Sequence, residues 1–202
     1  MSDTPIEIEK NIDSPDTVDE VIIQEEGTEE RPHMNFNKLP DAAQSNAITF
    51  AKPEDVEDVE CEDIVLADIT PEHIDLTKRM LKLLAEINGL GLAAPQIGIK
   101  KKFFVYWDSR DNVPHCCYNA KYYIGQGKAV WGERCLTYGQ LVFAIKRYKS
   151  VQAVWWEYDA DKHELVKRTK RLRGLEAEIF QHETDHMYGE TIATKGKLII
   201  RK

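Results

Sequence analysis

The residues best suited to chemistry are two histidines four positions apart, His182 and His186, in the string HETDH. On a helix, four residues span just over one turn, so both imidazoles project from one face and can bind one metal ion. Glu183 follows the first histidine and is placed to exchange protons with an activated water. The pattern predicts a metal site, with Asp185 as a candidate acceptor for a ligand imidazole. Two surface histidines on a charged helix are the alternative that this string leaves open.

A catalytic metal site needs a third protein ligand and one position left for water. Downstream of His186 the only acid is Glu190, one turn further on, which makes a poor ligand candidate. Upstream, Cys135 stands out in the turn-rich string WGERCLTYG, although a small buried hydrophobic residue is the other interpretation. Cys116 and Cys117 lie in a β-prone run, where neighbours point to opposite faces, and both are interpreted as structural.

Three separated motifs resemble those of one family. Residues 89–96, GLGLAAPQ, match the pattern GxGLAAxQ; residues 133–137, ERCLT, correspond to EGCLS; and residues 181–186, QHETDH, match QHExDH. With the motifs in this order, residues 46–190 resemble peptide deformylase, the metal enzyme that removes the formyl group from the N-terminal methionine of new polypeptides. One such motif is weak evidence, whereas three in order are highly specific.

The resemblance implies a ligand set, a metal and catalytic roles. The implied ligands are Cys135, His182 and His186. They are expected to hold one divalent ion, Fe(II) by resemblance, with Zn(II), Ni(II) or Co(II) also able to occupy the site. Proton transfer is assigned to Glu183, and stabilisation of the developing oxyanion to the Gln96 side-chain amide and the Leu136 backbone N–H.

The resemblance also implies a substrate pocket. The residues assigned to it are Leu90, Gly91, Trp131, Glu133, Arg134, Leu175 and Glu178. Gly91 lacks a Cβ and lets the substrate backbone approach like an added strand. Arg134 stands where the family has glycine and is expected to point outward, with Glu133 as a candidate partner. Glu178 replaces an aliphatic residue, so it either reaches outward or makes the pocket partly polar.

The hydrophobic pattern predicts the elements that position these residues. Apolar spacing favours a helix over residues 71–88, capped by Thr70 and ended by Gly89, and a second helix over residues 174–188 that carries HETDH. Strands are predicted over residues 103–107, 116–124, 140–147, 151–158 and 165–172, with the turn DADKHE joining the last two. This order predicts an α+β fold, a mainly antiparallel sheet packed around the HExxH helix.

Charge divides the chain of 202 residues into two parts. The formal net charge is −8, and residues 1–45 hold twelve acidic residues against three basic ones, so residues 46–202 are nearly neutral. We expect residues 1–45 to be a disordered acidic extension and residues 46–202 to be the catalytic domain. No signal peptide, membrane span or disulfide pattern is recognisable, which favours the cytoplasm.

The sequence also predicts the binding partners of the chain and leaves two alternative functions open. Formyl-methionine nascent peptides are the expected substrate, and the chain is expected to be a monomer without DNA or membrane partners. The basic end, with Lys195, Lys197, Arg201 and Lys202, is interpreted as a solvated tail, with a transient ribosome contact as the alternative. The short segment after the second helix resembles compact bacteriophage deformylases. A zinc peptidase and a binding protein that retains the fold without turnover are the alternative functions.

Overall fold

The computed structural model describes residues 48–108, 110, 113–159, 162 and 164–199, so the predicted extension over residues 1–45 lies outside the described residues, as do Arg201 and Lys202. The helices are α1 (Pro71–Ile87), α2 (Leu175–Met187) and α3 (Ile192–Lys195). The strands are β1 (Gly91–Ala93), β2 (Phe103–Asp108), β3 (Val113–Glu133), β4 (Phe143–Asp159), β5 (Glu164–Arg173) and β6 (Lys197–Leu198). Among these residues no helix has the length and apolar character that a membrane crossing requires.

One sheet organises the fold. Its strands follow the order β1-β2-β3-β4-β5, with β6 paired to β4, and every one of these strand pairs is antiparallel. The predicted α+β class with a mainly antiparallel sheet is confirmed. In this order β1 is an edge strand, so one side of its backbone is not paired within the sheet.

Strands β3 and β4 are longer than the sequence predicts. Residues 143–147 of the first predicted run and all of the run 151–158 belong to the single strand β4, whereas residues 140–142 precede it. Residues 116–124 are only part of β3. The pairing register shifts twice before residue 126, which lets β3 continue through positions that interrupt the apolar alternation. Pairing then continues to Glu133, opposite Phe143, so this ribbon fixes the start of the 133–137 motif.

The two faces of the sheet carry separate core clusters. Cys117 packs in the cluster that includes Phe180 of α2, whereas Cys116 packs against the cluster that includes Leu84 of α1. The prediction that these neighbouring cysteines point to opposite faces is confirmed. The four cysteines of the chain are all free.

Both predicted helices are present within one residue of their expected ends. Helix α1 starts after Thr70 and ends at Asn88, whose φ of 53° provides the left-handed turn that the sequence assigns to Gly89. Helix α2 lies between Gly174 and Gly189, both with positive φ. Eleven of its thirteen residues are buried, because α2 packs against β1, β2, β4 and β5.

Candidate metal centre and active site

Two elements bring the candidate ligands together. Cys135 lies two residues beyond the end of β3, and His182 and His186 lie one turn apart on α2. The sulfur and nitrogen atoms that these side chains offer lie within 4.8 Å of one another, and Cys135 Sγ is 3.3 Å from His186 Nε2. Within the described part of the chain, this is the one such group of three or more potential ligands.

The chemistry of this donor set fits a divalent ion. One thiolate and two imidazoles are donors that both Zn(II) and Fe(II) accept. Although burial raises the pKa of the Cys135 thiol, the adjacent His186 and His182 hold it well below its usual range. The thiolate is the form of cysteine that binds metals.

Glu133, the last residue of β3, orients one ligand. Its Oε2 lies 2.8 Å from His182 Nδ1, which leaves the other ring nitrogen for the metal. Arg147 donates to both Glu133 oxygens. Although burial raises the Glu133 pKa, the hydrogen bonds from His182 and Arg147 lower it to about 2. The structure therefore places the Glu133 side chain behind the candidate metal site, and its cationic partner is Arg147 instead of Arg134. The assignment of Glu133 to the substrate pocket stays a prediction.

A second carboxylate extends this buried network. Arg147 Nη1 donates to Asp185 Oδ2 at 2.7 Å, and Lys195 Nζ donates to Asp185 Oδ1 at 2.8 Å. Lys195 also donates to Glu190 at 2.7 Å. Asp185 therefore accepts hydrogen bonds from two cations, and the prediction that it orients a ligand imidazole is wrong. Glu133 contacts the imidazole of His182 instead, because the end of β3 places its Oε2 2.8 Å from His182 Nδ1.

Glu183 lies against the first residue of β1. It is 4% exposed, and its Oε2 has no hydrogen-bond partner among the described residues. Burial raises its pKa to about 7, against the influence of His182 and His186, a value suited to proton transfer near neutral pH. A Cβ added at Gly91 would lie 2.6 Å from Glu183 Cδ. The missing Cβ therefore makes room for this carboxylate, and the approach of the substrate backbone at Gly91 stays a prediction.

Two groups near Cys135 are candidate hydrogen-bond donors: the side-chain amide of Gln96 and the backbone N–H of Leu136. Gln96 Oε1 accepts from Ala93 N at 2.8 Å, which fixes the orientation of the amide. Gln96 Nε2 then lies 3.2 Å from Cys135 Sγ and 3.2 Å from Thr137 Oγ1. Leu136 opens the short 3₁₀ helix that follows Cys135, so its N–H has no acceptor within that helix.

The family comparison covers the segment that contains these residues. The model of the polypeptide deformylase family matches residues 51–199. The chain belongs to this family. A relative, the peptide deformylase of Thermotoga petrophila, is 33% identical over 130 residues, which cover 62% of this chain and 75% of the relative.

Solved deformylase structures share the fold. The crystal structure of the peptide deformylase from Thermotoga maritima aligns with a TM-score of 0.60 at 25% identity, covering 73% of this chain and 96% of that chain. A probable peptide deformylase from Synechococcus phage S-SSM7 aligns with a TM-score of 0.62 at 24% identity, covering 74% and 99%. Because its identity to the phage protein is only 24%, that similarity supports a shared fold and nothing more.

The residues assigned to a deformylase substrate pocket occupy several segments. Leu90 and Leu175 are half-buried and pack against the core cluster on the α2 side of the sheet. Trp131 on β3 and Arg134 after its end are also half-buried. Glu178 is only 6% exposed, so an outward-reaching carboxylate, one of its two expected placements, is wrong. A partly polar methionine pocket stays a prediction.

Sequence reasoning missed two cations of this deformylase site, Arg147 and Lys195. Lys195 is interpreted from the sequence only as part of a basic end. Arg147 sits in the polar string KRYK, but in β4 it shares a buried face with Ile145, two positions earlier. A charged residue at an inward strand position requires a buried partner, and that alternation is the signal that could have identified it.

Proposed function

We propose that the chain hydrolyses the formyl amide of N-terminal formyl-methionine on newly made polypeptides and releases formate. The observation that carries this proposal is the meeting of Cys135, His182 and His186 with the Glu183 carboxylate and the Gln96 amide around one buried site. Membership of the polypeptide deformylase family and the deformylase relatives support the substrate class.

In this proposal Cys135, His182 and His186 hold one divalent ion. Fe(II) is the expected ion, with Zn(II), Ni(II) and Co(II) as alternatives that the same thiolate and imidazole donors accept. When bound, the ion supplies Lewis-acid activation of water and of the formyl oxygen. Glu133 holds His182 in the orientation that presents its free ring nitrogen.

The remaining steps belong to the chain's own groups. Glu183 takes the proton from the attacking water and delivers it to the leaving amine. The Gln96 amide and the Leu136 N–H donate to the negative charge that grows on the formyl oxygen. Gln96 Nε2 does so by giving up one present acceptor, either Cys135 Sγ or Thr137 Oγ1.

The substrate peptide adds to the sheet in this proposal. β1 is an edge strand whose Ala93 N already donates to Gln96 Oε1, so an extended peptide would pair with the remaining backbone groups on its open side, next to the candidate metal site. Leu90, Trp131 and Leu175 contact the methionine side chain, while Arg134 and Glu178 modify the polarity of its surroundings.

The proposed setting is the cytoplasm, where the chain works as a monomer on nascent peptides. The four free cysteines suit a reducing compartment. Lys195 is engaged by Asp185 and Glu190, so a transient ribosome contact through the basic end would depend on Lys197 and the residues beyond. We expect no DNA or membrane partner.

The test is formate release from formyl-Met-Ala-Ser by anaerobically purified protein, wild type against Glu183→Ala, with metal analysis of both. We expect rapid release that is lost in the variant while about one metal per chain is retained. An internally cleavable peptide assayed in parallel separates this activity from that of a zinc peptidase. Bound metal without formate release would contradict the proposal and favour a binding protein.

A further inference from the structure

A cationic cavity lies at the side of the β3–β4 ribbon, beyond the metal ligands. Its volume is about 140 Å³, and no carboxylate is among the residues that line it. Four of the lining residues are cationic: Lys128, Lys146, Arg147 and Lys195. Tyr122, Tyr148 and Gln181 complete the lining. A concave surface with several cations and no acid attracts anions.

Two of these cations are available to a ligand. Lys128 and Lys146 are exposed, and neither forms an ion pair with any residue that the structure describes. Lys128 Nζ instead lies 5.4 Å from the centre of the Tyr148 ring. Two ammonium groups without carboxylate partners leave the mouth of the cavity with uncompensated positive charge.

The inner wall is fixed by buried hydrogen bonds. The Arg147 side chain is 3% exposed and is held by Glu133 and Asp185. Gln181 Oε1 accepts from Tyr148 N at 3.0 Å, and Gln181 Nε2 donates to Tyr148 O at 2.9 Å, so α2 is tied to the edge of β4 at this point. A wall that is already ordered loses little conformational freedom when a ligand binds.

The aromatic wall is also built into the strands. Gly125 lies in the second register shift of β3, and a Cβ added there would overlap the Tyr148 ring. The ring therefore packs directly on the backbone of the neighbouring strand. This contact holds Tyr148 in place beside Lys128.

We propose that this cavity binds an anion of the phosphate class, either free phosphate or the phosphodiester backbone of RNA. The ammonium groups of Lys128 and Lys146 supply the charge and the hydrogen bonds, and the wall formed by Arg147, Gln181 and Tyr148 supplies the shape. The cavity is large enough for a tetrahedral anion. It shares none of its lining residues with the three candidate metal ligands, so the proposed phosphate site is distinct from the proposed hydrolytic site.

Calorimetric titration of inorganic phosphate into the metal-loaded full chain at low ionic strength tests this proposal. The test variant is Lys128→Met with Lys146→Met, and the matched control is Lys121→Met with Lys167→Met, which removes two exposed lysines of β3 and β5 without ion pairs among the described residues. We expect saturable binding that weakens about tenfold in the test variant and is unchanged in the control. No saturable binding, or equal binding in all three proteins, would indicate an adventitious ion only and overturn the proposal.

A second arm distinguishes the two sources of phosphate. A ten-nucleotide RNA is titrated into the same three proteins, with and without saturating inorganic phosphate. If RNA binds, is displaced by phosphate and is lost in the test variant, the ligand is a phosphodiester backbone. If phosphate binds at the two lysines and RNA does not displace it, the ligand is the free anion. RNA binding that survives in the test variant and is insensitive to phosphate would place RNA elsewhere and contradict the RNA form of the proposal.

Discussion

The side chain of Glu183 occupies the volume that a side chain at position 91 would need. A Cβ added to Gly91 would lie 2.6 Å from Glu183 Cδ and 2.8 Å from Cγ, closer than real Cβ atoms approach such groups. Gly91 opens β1, while Glu183 lies on α2 between the two histidine ligands. β1 thus limits where this carboxylate can lie relative to the candidate metal site. The contact with Glu183 explains why position 91 of the motif is a glycine.

Gly91→Ala is expected to lower kcat for formyl-Met-Ala-Ser about 100-fold, because the new methyl group forces the Glu183 carboxylate away from its position. Bound metal should stay near that of the wild type, since the substitution leaves all three candidate ligands in place. Gly132→Ala is the control, because a Cβ there meets only ordinary contacts, the nearest at 3.6 Å from Val142 Cγ1. Full activity in Gly91→Ala would show that the carboxylate can move without consequence.

The grouping of the three candidate metal ligands could be predicted in part from sequence, because short-range geometry determines much of their arrangement. Helical spacing alone puts His182 and His186 on one face, and the predicted helix is present. The position of Cys135 depends on a ribbon of two long strands. The sequence predicts shorter strands in place of this ribbon, because local apolar alternation does not reveal cross-strand pairing.

The groups behind the ligands could not be predicted in the same way. Glu133 and Arg147 are fourteen residues apart, and they meet because β3 and β4 pair across the turn between them. The alternation of β4 places Arg147 on the inward face with Ile145, but nothing in the local sequence indicates which carboxylates it meets there. The assignment of Asp185 to a ligand imidazole failed for this reason, since it depends on which buried cations reach that carboxylate.

Glu133→Gln is expected to weaken metal binding about 10- to 100-fold, because His182 Nδ1 then loses its charged partner. Chelator competition on the purified variant measures this. Glu157→Gln is the matched control, since Glu157 Oε1 lies 2.8 Å from His115 Nδ1 in a carboxylate–histidine pair that holds no metal ligand. Equal metal affinity in Glu133→Gln and wild type would remove the orienting role from Glu133.

Lys195→Met is expected to lower the free energy of unfolding by about 1–3 kcal/mol, because buried Asp185 then keeps only one of its two cations. Urea denaturation measures the change. Lys195→Arg should recover part of it, and Lys197→Met, an exposed lysine without an ion pair among the described residues, should have no effect. If the Lys195 and Lys197 variants unfold alike, the contact with Asp185 contributes nothing.

Acid should destabilise the fold through Asp108. This carboxyl is 1% exposed, and although burial raises its pKa, hydrogen bonds from Arg110 N and Lys170 Nζ hold the pKa below its usual range. The unfolded chain therefore takes up this proton at higher pH than the folded chain, so the stabilisation is complete above about pH 4 and is lost as pH falls through the folded pKa. Urea denaturation should show a steeper loss of stability below pH 4 in the wild type than in Asp108→Asn. Parallel pH profiles would contradict this contribution.

Glu178→Ile is expected to raise kcat/KM for formyl-Met-Ala-Ser, by up to about tenfold, without changing metal content. Glu178 lies one turn before His182 on α2 and is 6% exposed, so its carboxylate adds polarity where an apolar methionine side chain is proposed to bind. Glu178→Gln separates charge from polarity, since it removes the charge and keeps the shape. If the isoleucine variant gains no efficiency, or gains it equally on a substrate with a polar first residue, then Glu178 does not contact the methionine side chain.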